Sequence, residues 1–252
     1  MNPFRVVWRL PPYETMRLLR RKLGRRRSWT AAELLDSPKH RNGGRFIDML
    51  LRIEAALGRA IGWEPLDFAG RRVIEIGCGP LLGFGPVAIF RGASSFESAD
   101  PEFDGALLRD PAIEVRYLRP LFRELTAIYG PRMDFAGFRD ALAERCRVHP
   151  CGFEAAPLAS RTDIVLSNSC LEHLFALPAI LSKLAAIQSP QSRFVHAVDF
   201  GNHYPTDDPF EGLYHSPPEV YIQRRPGAIN LLRAPDMAKA FRDAGIEHRM
   251  VS

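Results

Sequence analysis

Two carboxylates and two glycines carry most of the chemistry open to this chain. Glu75-x-Gly77-x-Gly79 closes a short β-branched run (Val73, Ile74, Ile76), and Asp100 ends the next apolar run. Glycine has no Cβ, so at 77 and 79 the backbone can turn tightly and approach a ligand closely. An acid at the tip of the following strand can accept hydrogen bonds from both hydroxyls of a ribose. Asp100 lies 23 residues after Gly77, near the ~20 expected between such a turn and its ribose-binding acid. Residues 72–100 therefore read as strand, phosphate-or-ribose loop, apolar helix, strand and acid. That is the nucleotide-binding half of a doubly wound α/β sheet.

Two details turn the reading away from a dinucleotide. The dinucleotide fingerprint needs a third glycine where this chain has Leu82, and a helix N-terminus free to hold pyrophosphate. Here Pro80 and Leu81 fill the turn, and an extra carboxylate, Glu75, precedes the glycines. A ligand with an adenosine but no phosphates suits that loop better. The stretch resembles motif I of the class I S-adenosylmethionine (SAM) methyltransferases, and in particular their type 11-like domains. Thr162-Asp163-Ile-Val-Leu-Ser-Asn-Ser-Cys-Leu-Glu-His173 is similar to the fourth-strand segment of that family, and Asn230 to Ile246 to its last helix running into a strand.

The resemblance implies a Rossmann-like sheet, mostly parallel, with SAM as cofactor. It places Glu75, Gly77, Cys78 and Gly79 along the methionine moiety and Asp100 on the ribose, with Glu75 able to act indirectly by fixing loop amides. Phe153 and Glu154 fall where an adenine contact is expected, and Ser167, Asn168 and Ser169 flank the methyl donor. If the acceptor is a hydroxyl, His203 backed by Asp199 is the candidate general base, because imidazole titrates near neutral pH. His173 reads as a structural histidine.

The elements that must position these residues follow from periodicity. Apolar residues at three- and four-residue steps predict a helix over 44–61, after breaks at Ser37-Pro38 and Asn42-Gly43-Gly44. Strands are expected at 72–76, 95–99, 147–151, 163–166, 193–200 and 247–251, with helices near 82–91, 176–188 and 235–244. Residues 101–145 exceed a simple crossover and predict helices at 103–109, 115–129 and 134–146, an insertion placed as a lid beside the site. Residues 201–229 form a proline- and aromatic-rich excursion. We divide the chain into a basic arm with covering helices (1–65) and the SAM-binding unit (66–252). The family's terminal antiparallel strand is missing: the chain stops at Ser252 first, so it is either a fragment or builds that sheet edge differently.

Charge is unevenly spread. Residues 1–27 hold eight Arg and one Lys against Glu14, and the remaining residues sum to −3. The basic residues of 5–27 interleave with Trp8, Tyr13 and several leucines, a pattern suited either to packing on the domain or to peripheral contact with an anionic membrane. No apolar run is long enough to span a bilayer, and no signal-peptide core follows the arginines. Four unpaired-looking cysteines point to a reducing cytoplasm, with peripheral placement at the inner membrane face. Cys146-x-x-His149-x-Cys151 lacks a fourth ligand at a usual spacing, so no metal is expected. The expected activity is methyl transfer from SAM to a small-molecule, saccharide or cell-envelope precursor. The alternatives are an RNA methyltransferase and a catalytically silent SAM-binding scaffold. The first lacks an Asn-Pro-Pro-aromatic motif, having Ser167-Asn168-Ser169-Cys170 in its place, and nucleic acid is not the expected partner.

Overall fold

The computed structural model describes residues 29–159, 161–201 and 229–251, with isolated positions between 208 and 221. At its centre are five parallel strands in the order β3-β2-β1-β4-β5. They are β1 (Arg72–Ile76), β2 (Ser95–Ala99), β3 (Cys146–His149), β4 (Thr162–Asn168) and β5 (Gln188–Ala197). The order reverses between β1 and β4, which makes the sheet a doubly wound, Rossmann-like one. Ligands bind such sheets at the carboxyl ends of the strands beside that reversal. β1 and β2 lie where the sequence places them, each buried over four of its five residues as a central strand covered on both faces must be.

Alternation along β1 sorts the core into two layers. Val73 joins the layer containing Phe84, Phe96, the N-terminal helices α1 (Ala31–Asp36) and α2 (Arg45–Ile61), and α3 (Gly85–Phe90), which follows the glycine turn. Ile74 and Ile76 join the layer under α6 (Leu177–Ile187) and α7 (Ala234–Asp243). At the amino ends of the strands, Arg72 makes a two-pronged pair with Asp163, both bonds at 3.0 Å, pinning β1 to β4.

Between β2 and β3 the chain forms a turn of 3-10 helix (Leu107–Arg109), then a helical run, then α5 (Phe135–Arg145). The helix expected over 103–109 shrinks to that one turn. Asp104 bonds the Ala106 amide at 2.9 Å, a local turn that competes with the helix ladder. The run opens at Pro111, passes through a π turn (Glu114–Leu118) and continues as α4 (Arg119–Tyr129). Pro120 explains the π turn: its ring and missing N–H do not fit a regular ladder, and an inserted residue relieves the clash. Tyr117, Leu118, Leu121, Leu125 and Phe138 bury in the first core layer, so much of residues 101–145 packs as core.

The strand expected at Glu247–Val251 is not formed; of residues 246–251 only Ile246 is buried. Glu247, His248 and Arg249 offer no apolar face to hold a strand on the sheet. Among the described residues β5 is paired on one side only.

Candidate functional site

The glycine turn after β1 is left-handed at four positions: Gly77 (φ 74°), Gly79 (67°), Leu82 (68°) and Gly83 (49°). Each has a different reason. A Cβ on Gly77 would lie 2.6 Å from Cys170 Sγ, so the turn after β4 presses directly on it. Over Gly79 nothing lies within 4 Å, leaving its backbone open to a ligand. A Cβ on Gly83 would collide with the Glu75 carboxylate. Leu82, standing where the dinucleotide fingerprint has its third glycine, keeps the glycine-like conformation at a cost of about 1–2 kcal/mol. Its side chain is fully buried in the first core layer, which holds it there.

Both acids sit on this turn. Glu75 is fully buried beneath it and accepts the Phe84 amide at 2.8 Å. Burial pushes its carboxyl well above the usual range; the Phe84 amide and Arg45 oppose the rise, and Asp100 adds to it. Asp100, 9% exposed at the tip of β2, accepts Gly79 N–H with one oxygen and Glu102 N–H with the other, both at 2.7 Å. Burial raises its carboxyl, partly offset by those two amides. Each of its oxygens keeps a further lone pair. Asp100 thus faces the open backbone of Gly79, a cradle fitting a ribose diol.

The other expected residues are placed as follows. Phe153 is buried in the second layer, and Glu154 stays exposed beside Gly152. Lys183 of α6 gathers the carbonyls of Phe153, Glu154 and Ala156, fixing the short 3-10 turn that carries both. Cys78 lies buried in the glycine turn. Ser167, at the end of β4, turns into the second layer and meets His196 Nδ1 on β5 at 2.8 Å, while Asn168 is the last residue of the strand. Ser169, left-handed at φ 48°, donates to the Ala197 carbonyl and joins the two strand tips. Asp199 caps the Gly201 amide at 2.8 Å. His203 lies outside the described residues.

Three residues that periodicity did not single out organise the β4–β5 side. Asn230 donates from Nδ2 to the carbonyls of Leu171 and Leu174, at 2.9 and 3.0 Å, while its own amide reaches Glu172. It therefore fastens the approach to α7 onto the turn after β4. Its place four residues before the proline-opened helix is the only sequence trace of this. We expect Asn230→Ala to cost about 2–3 kcal/mol, since two carbonyls lose their donor. Urea unfolding measures it, and a loss under 1 kcal/mol would show that the clasp carries little. Glu172, 1% exposed, and His196 are the other two. Burial lifts the Glu172 carboxyl to about 7 and drops the His196 imidazole to about 4.

Beside the β5 tip, Phe200, Phe210, Arg233, Ala234 and Pro235 line an open cleft of about 470 Å³. Among the described residues no cluster of metal-ligating side chains is found, and no helix is long and apolar enough to cross a membrane.

No family model and no curated protein matches the sequence. Solved structures do. An S-adenosylmethionine-dependent methyltransferase from Mesorhizobium loti is 16% identical, with 79% of this chain and 81% of that one aligned at a TM-score of 0.47. A Burkholderia thailandensis 1,6-didemethyltoxoflavin-N1-methyltransferase, solved with S-adenosylhomocysteine, is 17% identical over 93% of this chain and 79% of its own, at a TM-score of 0.40.

Proposed function

We propose that this chain binds S-adenosylmethionine across the tips of β1 and β2 and transfers its methyl group to a small-molecule or saccharide acceptor. The observation that carries the reading is the state of the turn's amides. Gly79 N–H is taken by Asp100 and Phe84 N–H by Glu75. A phosphate site needs such donors free and aimed at the ligand, and two carboxylates beside it repel a pyrophosphate. A nucleoside carrying a sulfonium has the complementary charge. In this reading the remaining lone pairs of Asp100 accept the ribose hydroxyls, and the backbone of Gly77, Cys78 and Gly79 runs along the methionine moiety. Glu154 and the Ser167–Ser169 tip border the adenine and the donor centre.

Bound SAM supplies an electrophilic methyl group, and the protein's task is to hold the partners in line and keep water out. Cys78 and Cys170 beside the turn do not compete for the methyl group: burial raises both thiols, Cys170 to about 12, so neither is a thiolate at neutral pH. The acceptor enters by the cleft of Phe200, Phe210 and Arg233, with Asp199 and His203 serving a hydroxyl acceptor as base. The helices α1 and α2 act as cover and residues 66–252 as the binding unit. Residues 5–27 rest on an anionic membrane at its cytoplasmic face.

Calorimetry tests the central claim. SAM is expected to bind in the micromolar range and NAD about 100-fold more weakly; equal affinity would overturn the reading. Methyl release from labelled SAM onto fractions of a cell extract then separates an enzyme from a silent binder.

A further inference from the structure

The residue that leads into α1 reaches across the molecule to the turn after β2. Thr30 caps α1 by a reciprocal pair of bonds with Glu33, so Trp29 stands immediately outside the helix. Trp29 is 3% exposed and packs in the first core layer, its ring edge-on to His40 at 5.0 Å. A buried indole needs an acceptor for its N–H. Trp29 Nε1 donates to Glu102 Oε2 at 3.2 Å, across 73 residues of sequence. Glu102 is thereby held at two points: its side chain by Trp29, and its own amide by Asp100 Oδ1 at 2.7 Å.

We propose that Trp29 is a positioning residue for the nucleoside site: by holding the Glu102 carboxylate, it keeps the Asp100-Pro101-Glu102 turn in the pose that presents Asp100 to a ribose diol. The effect on affinity rests on the SAM reading above; the contact between Trp29 and Glu102 does not.

Local chemistry forms this turn but does not place it. Aspartate is a favoured first residue, Pro101 fixes the next φ, and Phe103 N–H closes on the Asp100 carbonyl at 3.2 Å. Those preferences and that bond stay within residues 100–103. Two further bonds tie the start of the turn to its surroundings: Asp100 N–H to the His149 carbonyl at 3.0 Å, and Gly79 N–H to Asp100 Oδ2 at 2.7 Å. The other end is tied by the indole. Releasing it lets the Glu102 end of the turn move, and with it the amide that orients the Asp100 carboxylate.

The test uses the full chain. Trp29→Phe keeps a ring and removes the N–H, Glu102→Ala removes the acceptor, and Glu102→Gln keeps an oxygen acceptor without the charge. By calorimetry SAM should bind about tenfold more weakly to Trp29→Phe and to Glu102→Ala, and within about threefold of native to Glu102→Gln. The double variant Trp29→Phe with Glu102→Ala should be no weaker than either single one, since the same bond is lost in each. The penalty should shrink for 2′-deoxy-S-adenosylhomocysteine relative to S-adenosylhomocysteine, because Asp100 then grips one hydroxyl. Losses that add, or penalties equal for both ligands, would reduce Trp29 to a packing residue. The indole N–H resonance of Trp29 reports the contact without ligand; among the chain's three tryptophans it is identified by its absence in Trp29→Phe. Its hydrogen exchange should quicken about tenfold in Glu102→Ala, and unchanged exchange would overturn the proposal. Failure of the native chain to bind SAM, with exchange still responding to Glu102→Ala, would sink the SAM reading and leave the contact standing.

Discussion

Asp100→Ala should weaken SAM binding at least 100-fold, because the two charge-assisted hydrogen bonds proposed to the ribose, each worth ~1.5–3 kcal/mol, disappear together. The same substitution strips Gly79 and Glu102 of the acceptor for their amides, loosening the turn as well as the ligand. Asp100→Asn separates these effects. Its single carbonyl oxygen holds one amide, so the loop should survive better while the affinity still falls about tenfold. Binding by the native chain should also weaken as pH falls through the raised carboxyl of Asp100, since the diol is gripped by the ionised form. Unchanged affinity in Asp100→Ala would remove the adenosyl site from the tips of β1 and β2.

The second expectation concerns stability against pH, where two buried groups pull in opposite directions. Glu172 holds its proton up to about 7 in the folded chain, against 4.5 ordinarily. Between those values the folded state binds the extra proton, so stability falls as pH rises. His196 titrates at about 4 when folded, against 6.5 ordinarily. There the unfolded state binds the extra proton, so stability rises with pH. From pH 4.5 to 6.5 the two slopes oppose each other, so each variant should depart from the native profile in its own direction. Glu172→Gln should expose the rise and His196→Asn the decline. Each excursion is at most about 3 kcal/mol, from shifts near 2.5 units at 1.36 kcal/mol per unit. Urea titrations at pH 4.5, 5.5, 6.5 and 8 measure both. Parallel pH profiles for native chain and variants would refute the assignment.

The two groups sit where this matters for the site. Glu172 occupies the turn fastened by Asn230, and His196 pairs with Ser167 at the ends of β4 and β5. Both lie on the β4–β5 side of the sheet, where the acceptor is proposed to enter.

By itself the sequence determined β1, β2 and the turn between them, because strand hydrophobicity, glycine spacing and a terminal acid are all local signals. Residues 72–76 and 95–99 pair in parallel as those signals require. The helix from 45 to 61 was equally legible, its apolar stripe recurring over a long window. Tertiary structure decided what local pattern cannot carry. Leu82 reads as a break with the glycine fingerprint, yet the surrounding core holds it in the same left-handed conformation. The π turn before Pro120 depends on how α4 must continue after a lost hydrogen bond, and residues 247–251 form no strand because nothing fixes an apolar face there. The contacts that fix the turn, Asp100 on the Gly79 amide and Cys170 against Gly77, join residues far apart in the chain, and only packing brings them together. Sequence thus specified the backbone proposed to meet a nucleoside, and the fold specified the electrostatics beneath it, since charges act through space and not along the chain.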